Sequence, residues 1–160
     1  MEHNQAISAT LVDIADYKPN DYECERASNS YLMSVVAIII GTPLPIVNLL
    51  ATFFFYLGNR RSTPFVRWHC TQALLSQLTI FIMNTVAFAW TLRILFGDLY
   101  LNDDYIAYIL TVIGFNIFEF IITVIAAIRL RKGKHTEWWM WGELTNELMG
   151  NHIPVNKYHG

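Results

Sequence analysis

The stretch Ser62–Gln77, STPFVRWHCTQALLSQ, lies between two long apolar segments and begins the second of them. Its Ser-Thr pair can cap a helix, and Pro64 suits the first helical turn, where a missing N–H costs nothing. Arg67 and Trp68 are side-chain types that favour the headgroup region of a bilayer. The stretch therefore predicts the start of a membrane-spanning helix that carries further polar residues along one side.

Charged residues are scarce in three long parts of the chain. Hydrophobic residues make up 54% of the sequence and charged residues 15%, whereas a soluble domain carries about 25% charged residues. Roughly 20 apolar residues cross the bilayer core as a helix. We therefore predict an all-α integral membrane protein, a three-span helical bundle with spans at about residues 31–57, 65–96 and 105–129.

The first apolar run contains a break, GTPLP, over Gly41–Pro45. Glycine and two prolines cannot continue an ordinary helix without a kink or a gap. One interpretation is a single kinked span. The other is a split run, with a short half-helix over residues 31–40 and a second element from residue 45. In that case the half-helix would re-enter or lie flat on the membrane, and the N-terminus could change sides.

The charges between the apolar runs predict an orientation. Basic residues lie in the first loop and after the third run, while acidic residues dominate the second loop and the polar tail over residues 1–30. Because basic residues next to spans stay in the cytoplasm, we expect the N-terminus outside and the C-terminus cytoplasmic. The short chain and its acidic tail favour a bacterial inner membrane. The basic clusters are short and close to the spans. They predict contacts with membrane lipids and no binding of nucleic acid.

The segment after the third run has the pattern of an amphipathic helix. Thr136 can cap its start, and residues 137–149 alternate apolar and polar residues at helical spacing. We expect an interfacial helix on the cytoplasmic surface, followed by a mobile tail over residues 150–160. Docking onto another protein is the alternative. The predicted interfacial anchors are the tryptophans Trp68, Trp138, Trp139 and Trp141.

Polar residues inside the predicted spans form the main candidate site. Asn116 and Glu119 share one helix face, and Gln77 lies at a similar depth on the preceding span. Glu119 either handles protons or ions on a polar path, or makes a hydrogen bond that packs the helices. We expect an intramembrane polar cluster of Asn48, Gln77, Asn84, Asn116 and Glu119.

No arrangement of residues indicates an enzyme. The sequence contains no nucleophile elbow, phosphate-binding loop or zinc-binding helix, so we expect no catalytic residue, no metal and no cofactor. The chain is predicted to be a non-enzymatic subunit of a membrane complex, or a homo-oligomer. The alternative is a small oligomeric transporter or channel with Glu119 on its path.

The residues PFVRWHCTQALL, from Pro64 onward, resemble a motif of the Tic-twenty-like family. That family comprises a chloroplast inner-envelope import component and its small bacterial and archaeal membrane-protein relatives. The resemblance implies a helical membrane fold and a role in protein transport. The residues that match the family motif are Phe65, Arg67, His69 and Gln72, together with their neighbours Val66, Ala73 and Leu74.

Overall fold

The computed structural model describes residues 10–41, 45–97, 100–150 and 152–155. Over these residues the chain is helical apart from two short strands and their connections. The strands are β1 (Thr10–Asp13) and β2 (His152–Val155). The helices are α1 (Asp21–Gly41), α2 (Pro45–Asn59), α3 (Pro64–Phe96), α4 (Asp103–Arg131) and α5 (Trp141–Met149).

Side-chain caps fix where α1 and α3 begin. The Asn20 side chain accepts the Glu23 N–H (2.9 Å), and the Glu23 carboxylate accepts the Asn20 N–H (3.0 Å), which is a reciprocal capping box. Thr63 accepts the Val66 N–H at the start of α3, and Pro64 follows it. The sequence-based cap of α3 is therefore present in the structure.

The end of α4 depends on one glycine. Gly133 has φ +72°, its N–H donates to the Leu130 carbonyl, and the Lys134 N–H donates to the Arg129 carbonyl. These two bonds form a Schellman motif, in which a left-handed residue closes the helix. The turn sends the following chain back across the bundle towards α3.

Replacing Gly133 by alanine is expected to lower the free energy of unfolding by about 1–2 kcal/mol, because a Cβ disfavours the left-handed conformation. Space does not limit this site, since the nearest atom to an added Cβ is Cys24 Sγ at 3.9 Å. Chemical unfolding in detergent micelles measures the change. Gly58, where an added Cβ meets nothing within 4 Å, is the control for substitution without a strained φ. Equal effects at both glycines would contradict this explanation.

Two of the helices, α3 and α4, are long and apolar enough to cross a membrane. Most of their apolar side chains are exposed on the protein surface, including Ile82, Leu95, Leu110 and Ile117. Large apolar surfaces of this kind are unfavourable in water and match the interior of a bilayer. The structure thus supports membrane association through the α3–α4 hairpin.

The predicted first span is two helices. The Ser34 and Thr52 hydroxyls are hydrogen-bonded at 3.1 Å, and the Arg26 guanidinium donates to Asn59 Oδ1 at 2.8 Å. These pairs make α1 and α2 antiparallel, so the start of α1 and the end of α2 lie at the same end of the molecule. Of the two interpretations of the Gly41–Pro45 break, the structure has the split one. A single kinked span over residues 31–57 is wrong.

The two strands show that the N-terminal and C-terminal segments lie together. Strands β1 and β2 are antiparallel neighbours, with Asp13 opposite His152. Segments that pair in one sheet cannot lie on opposite sides of a membrane, so the predicted N-outside, C-inside orientation is wrong. Acidic residues contribute little to membrane orientation, which explains why the acidic tail was a poor guide.

The core lies at one end of the bundle. Buried side chains from α1, the start of α3, the end of α4 and the segments before α1 and after α4 pack together there. The largest of the fully buried ones are Trp68, Tyr31 and Phe65. At the other end α3 and α4 extend as a pair with few buried residues. The bundle therefore has a densely packed end and an apolar hairpin.

Candidate functional site

A hydrogen-bonded network connects α1, α3 and the segment after α4 at the packed end. His69, Gln72 and Tyr31 are each fully buried. Gln72 Nε2 donates to the Tyr31 hydroxyl oxygen (2.9 Å), and that hydroxyl lies 3.2 Å from His69 Nδ1. The stretch Ser62–Gln77 thus contributes His69 and Gln72 to the protein core, where they bind other parts of the chain.

Gln72 also binds the main chain after α4. Its Nε2 donates to the Thr136 carbonyl and its Oε1 accepts the Trp138 N–H, both at 3.3 Å. These backbone groups bind a side chain, residues 134–138 have no regular secondary structure, and α5 begins only at Trp141. The predicted helix over residues 137–149 with a cap at Thr136 therefore starts too early.

Trp68 attaches α5 to α3. Its indole Nε1 donates to Asn146 Oδ1 (2.8 Å), and the Asn146 amide donates to Glu137 Oε1 (2.7 Å). Trp68 and Trp138 are 1% and 7% exposed, so protein surrounds them. Their predicted role as headgroup anchors does not fit this burial. Trp139 is 82% exposed and Trp141 is partly buried; their role as anchors stays a prediction.

The fully buried His69 pairs with the partly buried His135. His69 Nε2 lies 3.2 Å from His135 Nδ1. The Tyr31 hydroxyl accepts a Gln72 amide proton, which leaves its own proton available for His69 Nδ1. In the His69 tautomer that accepts this proton, Nε2 carries the ring N–H and donates to His135 Nδ1. Burial lowers the pKa of His135 to about 4, although the nearby Asp13 carboxylate opposes that shift. The His135 imidazole is therefore uncharged at neutral pH.

Acidification is expected to loosen the segment that carries His135. An unfolded histidine binds a proton near pH 6.5, whereas folded His135 does so near pH 4. Stability is therefore lost as the pH falls from about 6.5 to about 4, and the His135 contribution is constant below that. Limited proteolysis of the protein in micelles across this pH range measures the loss. The variant His135→Gln should show a shallower pH dependence; identical pH profiles would contradict the assignment.

Glu119 lies between α3 and α4 and is 5% exposed. Its Oε1 accepts from Ser76 (2.9 Å), from Thr123 (3.1 Å) and from Gln77. Its Oε2 is buried and has no hydrogen-bond partner among the described residues. Two of these donors, Ser76 and Gln77, lie on α3 and bind it to α4, whereas Thr123 lies on α4 itself. The role of Glu119 in handling protons or ions stays a prediction.

The other predicted members of the polar cluster lie further along the hairpin. Asn84 and Asn116 donate to each other's carbonyl oxygens, at 3.0 and 2.8 Å. The structure thus pairs Gln77 with Glu119 and Asn84 with Asn116. The side chain of Asn48, the fifth predicted member, lies outside the described residues.

Sequence reasoning missed the partners of the opening stretch. Tyr31 was recognised only as the start of an apolar run, and His135 was given no role. Both contact His69 from 38 and 66 residues away, and no periodicity connects them to it. Among the residues matched to the Tic-twenty-like motif, Phe65, His69 and Gln72 belong to this core, while Arg67 is only partly buried.

Among the described residues, no group of three or more His, Cys, Asp or Glu side chains is placed to hold a metal ion. The paired histidines instead form part of the contact between α3 and the C-terminal segment. We name this contact, made by Trp68, His69 and Gln72 with residues 135–146, the C-terminal clasp. The hydrogen bonds of the clasp attach the main chain and side chains of residues 135–146 to α3.

Comparison with known families identifies the chain. Residues 27–141 match the MamF/MmsF family, described as the magnetosome magnetite crystal formation protein family. No curated protein and no solved structure matches the chain. The family match overturns the resemblance to Tic-twenty-like import components, which depended on a short motif, and the role in protein transport falls with it. Because the matched residues cover most of the sequence, the chain belongs to the magnetosome magnetite crystal formation protein family.

Proposed function

We propose that this protein is a non-enzymatic component of the magnetosome membrane that acts in magnetite crystal formation as a subunit of a membrane assembly. The family match over residues 27–141 is the observation that carries this proposal. The matched region contains most of α1, all of α2, α3 and α4, and the bonds from Gln72 to Thr136 and Trp138. The helical bundle and the first part of the clasp thus lie within the region that the family shares.

A membrane arrangement follows from the helix lengths and the charges. Helices α3 and α4 cross the bilayer, while α1 and α2 form a hairpin that enters and leaves through one face. At 1.5 Å per residue the 15 residues of α2 extend roughly 22 Å, short of the roughly 30 Å core. Arg129, Arg131 and Lys132 lie at the packed end, which favours the cytoplasmic face for both terminal strands.

The distribution of polar groups favours a structural role over an enzymatic one. The clasp and the Glu119 cluster use their polar atoms mainly to bind one helix or segment to another. The apolar surface of the α3–α4 hairpin remains available for lipids, for a second copy of the chain or for a larger membrane complex. A structural subunit of a membrane assembly around the crystal would have both of these properties: polar groups that join its own helices, and an apolar surface that contacts lipid or other subunits.

Deleting the gene in a magnetosome-forming bacterium that carries it tests this function. We expect an altered distribution of crystal sizes in electron micrographs, restored by the full-length wild-type chain. A chain carrying Trp68→Ala should fail to restore it, because the clasp is lost, whereas Trp139→Ala should succeed. Unchanged crystals in the deletion strain would contradict the proposed function.

A second candidate function is that of a small oligomeric transporter or channel with Glu119 on its path. The buried Oε2 atom, which has no hydrogen-bond partner among the described residues, favours this candidate. The change Glu119→Gln keeps the shape and removes the charge. A transporter should lose proton or ion flux in reconstituted vesicles while still assembling in the membrane. If Glu119 only packs the helices, the wild type and the variant should show the same flux, which would exclude the transporter.

A further inference from the structure

A cavity of about 420 Å³ lies between α3, α4 and the chain over residues 136–141. Phe118 and Ile125 on its wall are 59% and 47% exposed, so the cavity opens on the apolar surface of α4. From Phe115 to Arg129 its wall extends roughly 21 Å along α4, at 1.5 Å per residue. Most of the wall is apolar, formed by residues such as Ile80, Met83, Phe115, Phe118 and Ile122. A long hydrocarbon chain fits these surroundings.

Two residues that line the cavity carry buried polar atoms without a hydrogen-bond partner among the described residues. They are Glu119 through Oε2 and Trp138 through Nε1, and their side chains are 5% and 7% exposed. Buried polar atoms are nearly always hydrogen-bonded, and leaving them without partners is costly. An occupant of the cavity that offers polar atoms, including an acceptor for the indole N–H, would satisfy both groups.

One cation lies at the end of the cavity towards the packed core. Arg129 lines the cavity, and its guanidinium group makes no hydrogen bond or ion pair with the part of the chain that the structure describes. Glu137, the nearby acid, already accepts from Asn146 at 2.7 Å. A guanidinium group binds phosphate oxygens in a bidentate manner, and exposed tryptophans such as Trp139 favour the headgroup region.

We propose that this cavity binds an anionic glycerophospholipid. Its phosphate binds Arg129, an ester carbonyl accepts the Trp138 indole N–H, and one acyl chain lies between Ile80 and Phe118. A lipid hydroxyl or a water molecule that enters with the ester region donates to Glu119 Oε2. The bound lipid joins the α3–α4 hairpin to the C-terminal segment, which is a property independent of any role in mineral formation.

Native mass spectrometry of the full-length protein in a mild non-ionic detergent tests the site. The protein is titrated with phosphatidylglycerol, and in parallel with phosphatidylcholine, and the retained lipid is counted. We expect one phosphatidylglycerol per chain. Arg129→Gln should weaken its binding about tenfold, because it removes the positive charge and the bidentate guanidinium donors. Trp138→Phe should weaken it about three- to tenfold, because it removes the indole N–H. Circular dichroism verifies that each variant keeps its helix content.

Two further variants distinguish a specific site from general attraction. Lys132→Gln removes a charge at the same end of the protein, from a residue outside the cavity, and should leave binding unchanged. Ile125→Trp fills the cavity and should abolish retention of the lipid. Equal weakening by Arg129→Gln and Lys132→Gln, or full binding by the Ile125→Trp protein, would overturn the proposal.

Discussion

Replacing Trp68 by alanine is expected to lower the free energy of unfolding by about 3–5 kcal/mol, the range for truncating a buried aromatic side chain. Trp68 is 1% exposed, and its ring lies 4.9 Å from the His69 ring and 4.8 Å from the His135 ring, between centroids. The change also removes the N–H that binds Asn146. Chemical unfolding in micelles measures the loss, and limited proteolysis should show cleavage after residue 134.

Trp139 provides a control of the same residue type. It is 82% exposed, so Trp139→Ala should change the free energy of unfolding by about 0.5 kcal/mol or less. If both alanine variants were equally stable, Trp68 would not be a core residue, and the C-terminal clasp would not exist.

Replacing Gln72 by leucine is expected to cost about 2–4 kcal/mol, because the change leaves buried partners without their hydrogen bonds. Those partners are the Thr136 carbonyl, the Trp138 N–H and the Tyr31 hydroxyl. Leucine is nearly isosteric and more apolar, so a loss of stability would come from hydrogen bonding rather than from packing. Unfolding in micelles, followed by tryptophan fluorescence, measures the effect.

Thr85→Val is the matched control on the same helix. Thr85 is exposed, and its hydroxyl binds only the Phe81 carbonyl within α3. Its replacement should change stability by about 0.5 kcal/mol or less. A Gln72→Leu protein as stable as the wild type would show that its three partners find other hydrogen bonds.

The helical hairpin could be predicted from the sequence because its determinants are local. Long apolar runs define α3 and α4, and Thr63 with Pro64 marks where α3 begins. Helical periodicity also predicted that Glu119 lies near Gln77, because the two residues are at a similar depth in the membrane on consecutive antiparallel helices. These features depend on residues within one helix or on adjacent helices.

The packed end could not be predicted, because its determinants are distant in sequence. The bonds from Gln72 to Thr136 and Trp138 connect residues 64 and 66 positions apart, and β1 pairs with a strand at the other end of the chain. Tryptophan near a span suggests a headgroup anchor, yet Trp68 and Trp138 are buried by segments whose position no local pattern reveals. The error in orientation has the same cause, since charge counts cannot detect the pairing of β1 with β2.

The C-terminal clasp explains why a membrane helix begins with so many polar residues. Trp68, His69 and Gln72 bind the chain that follows α4, and the family match extends to residue 141, within that chain. In the proposed membrane arrangement, both terminal strands lie at one face and the α3–α4 hairpin crosses the bilayer. Under the proposed function, a defect in the clasp is expected to alter crystal formation because it displaces the C-terminal segment.

Disulfide formation between the two terminal strands tests this arrangement most directly. Asp13 and His152 are opposite each other in the sheet, and Cα atoms of such pairs lie about 4.5–5.5 Å apart, within disulfide range. The double variant Asp13→Cys, His152→Cys is oxidised in native membranes and its peptides are identified by mass spectrometry. The control pair, Asp13→Cys with Asn102→Cys, places the second cysteine at the far end of the hairpin.

We predict rapid formation of a disulfide between the two cysteines introduced in β1 and β2, slower formation when Trp68→Ala is added, and none for the control pair. Labelling of these two introduced cysteines from opposite sides of the membrane, with no disulfide between them, would contradict the arrangement.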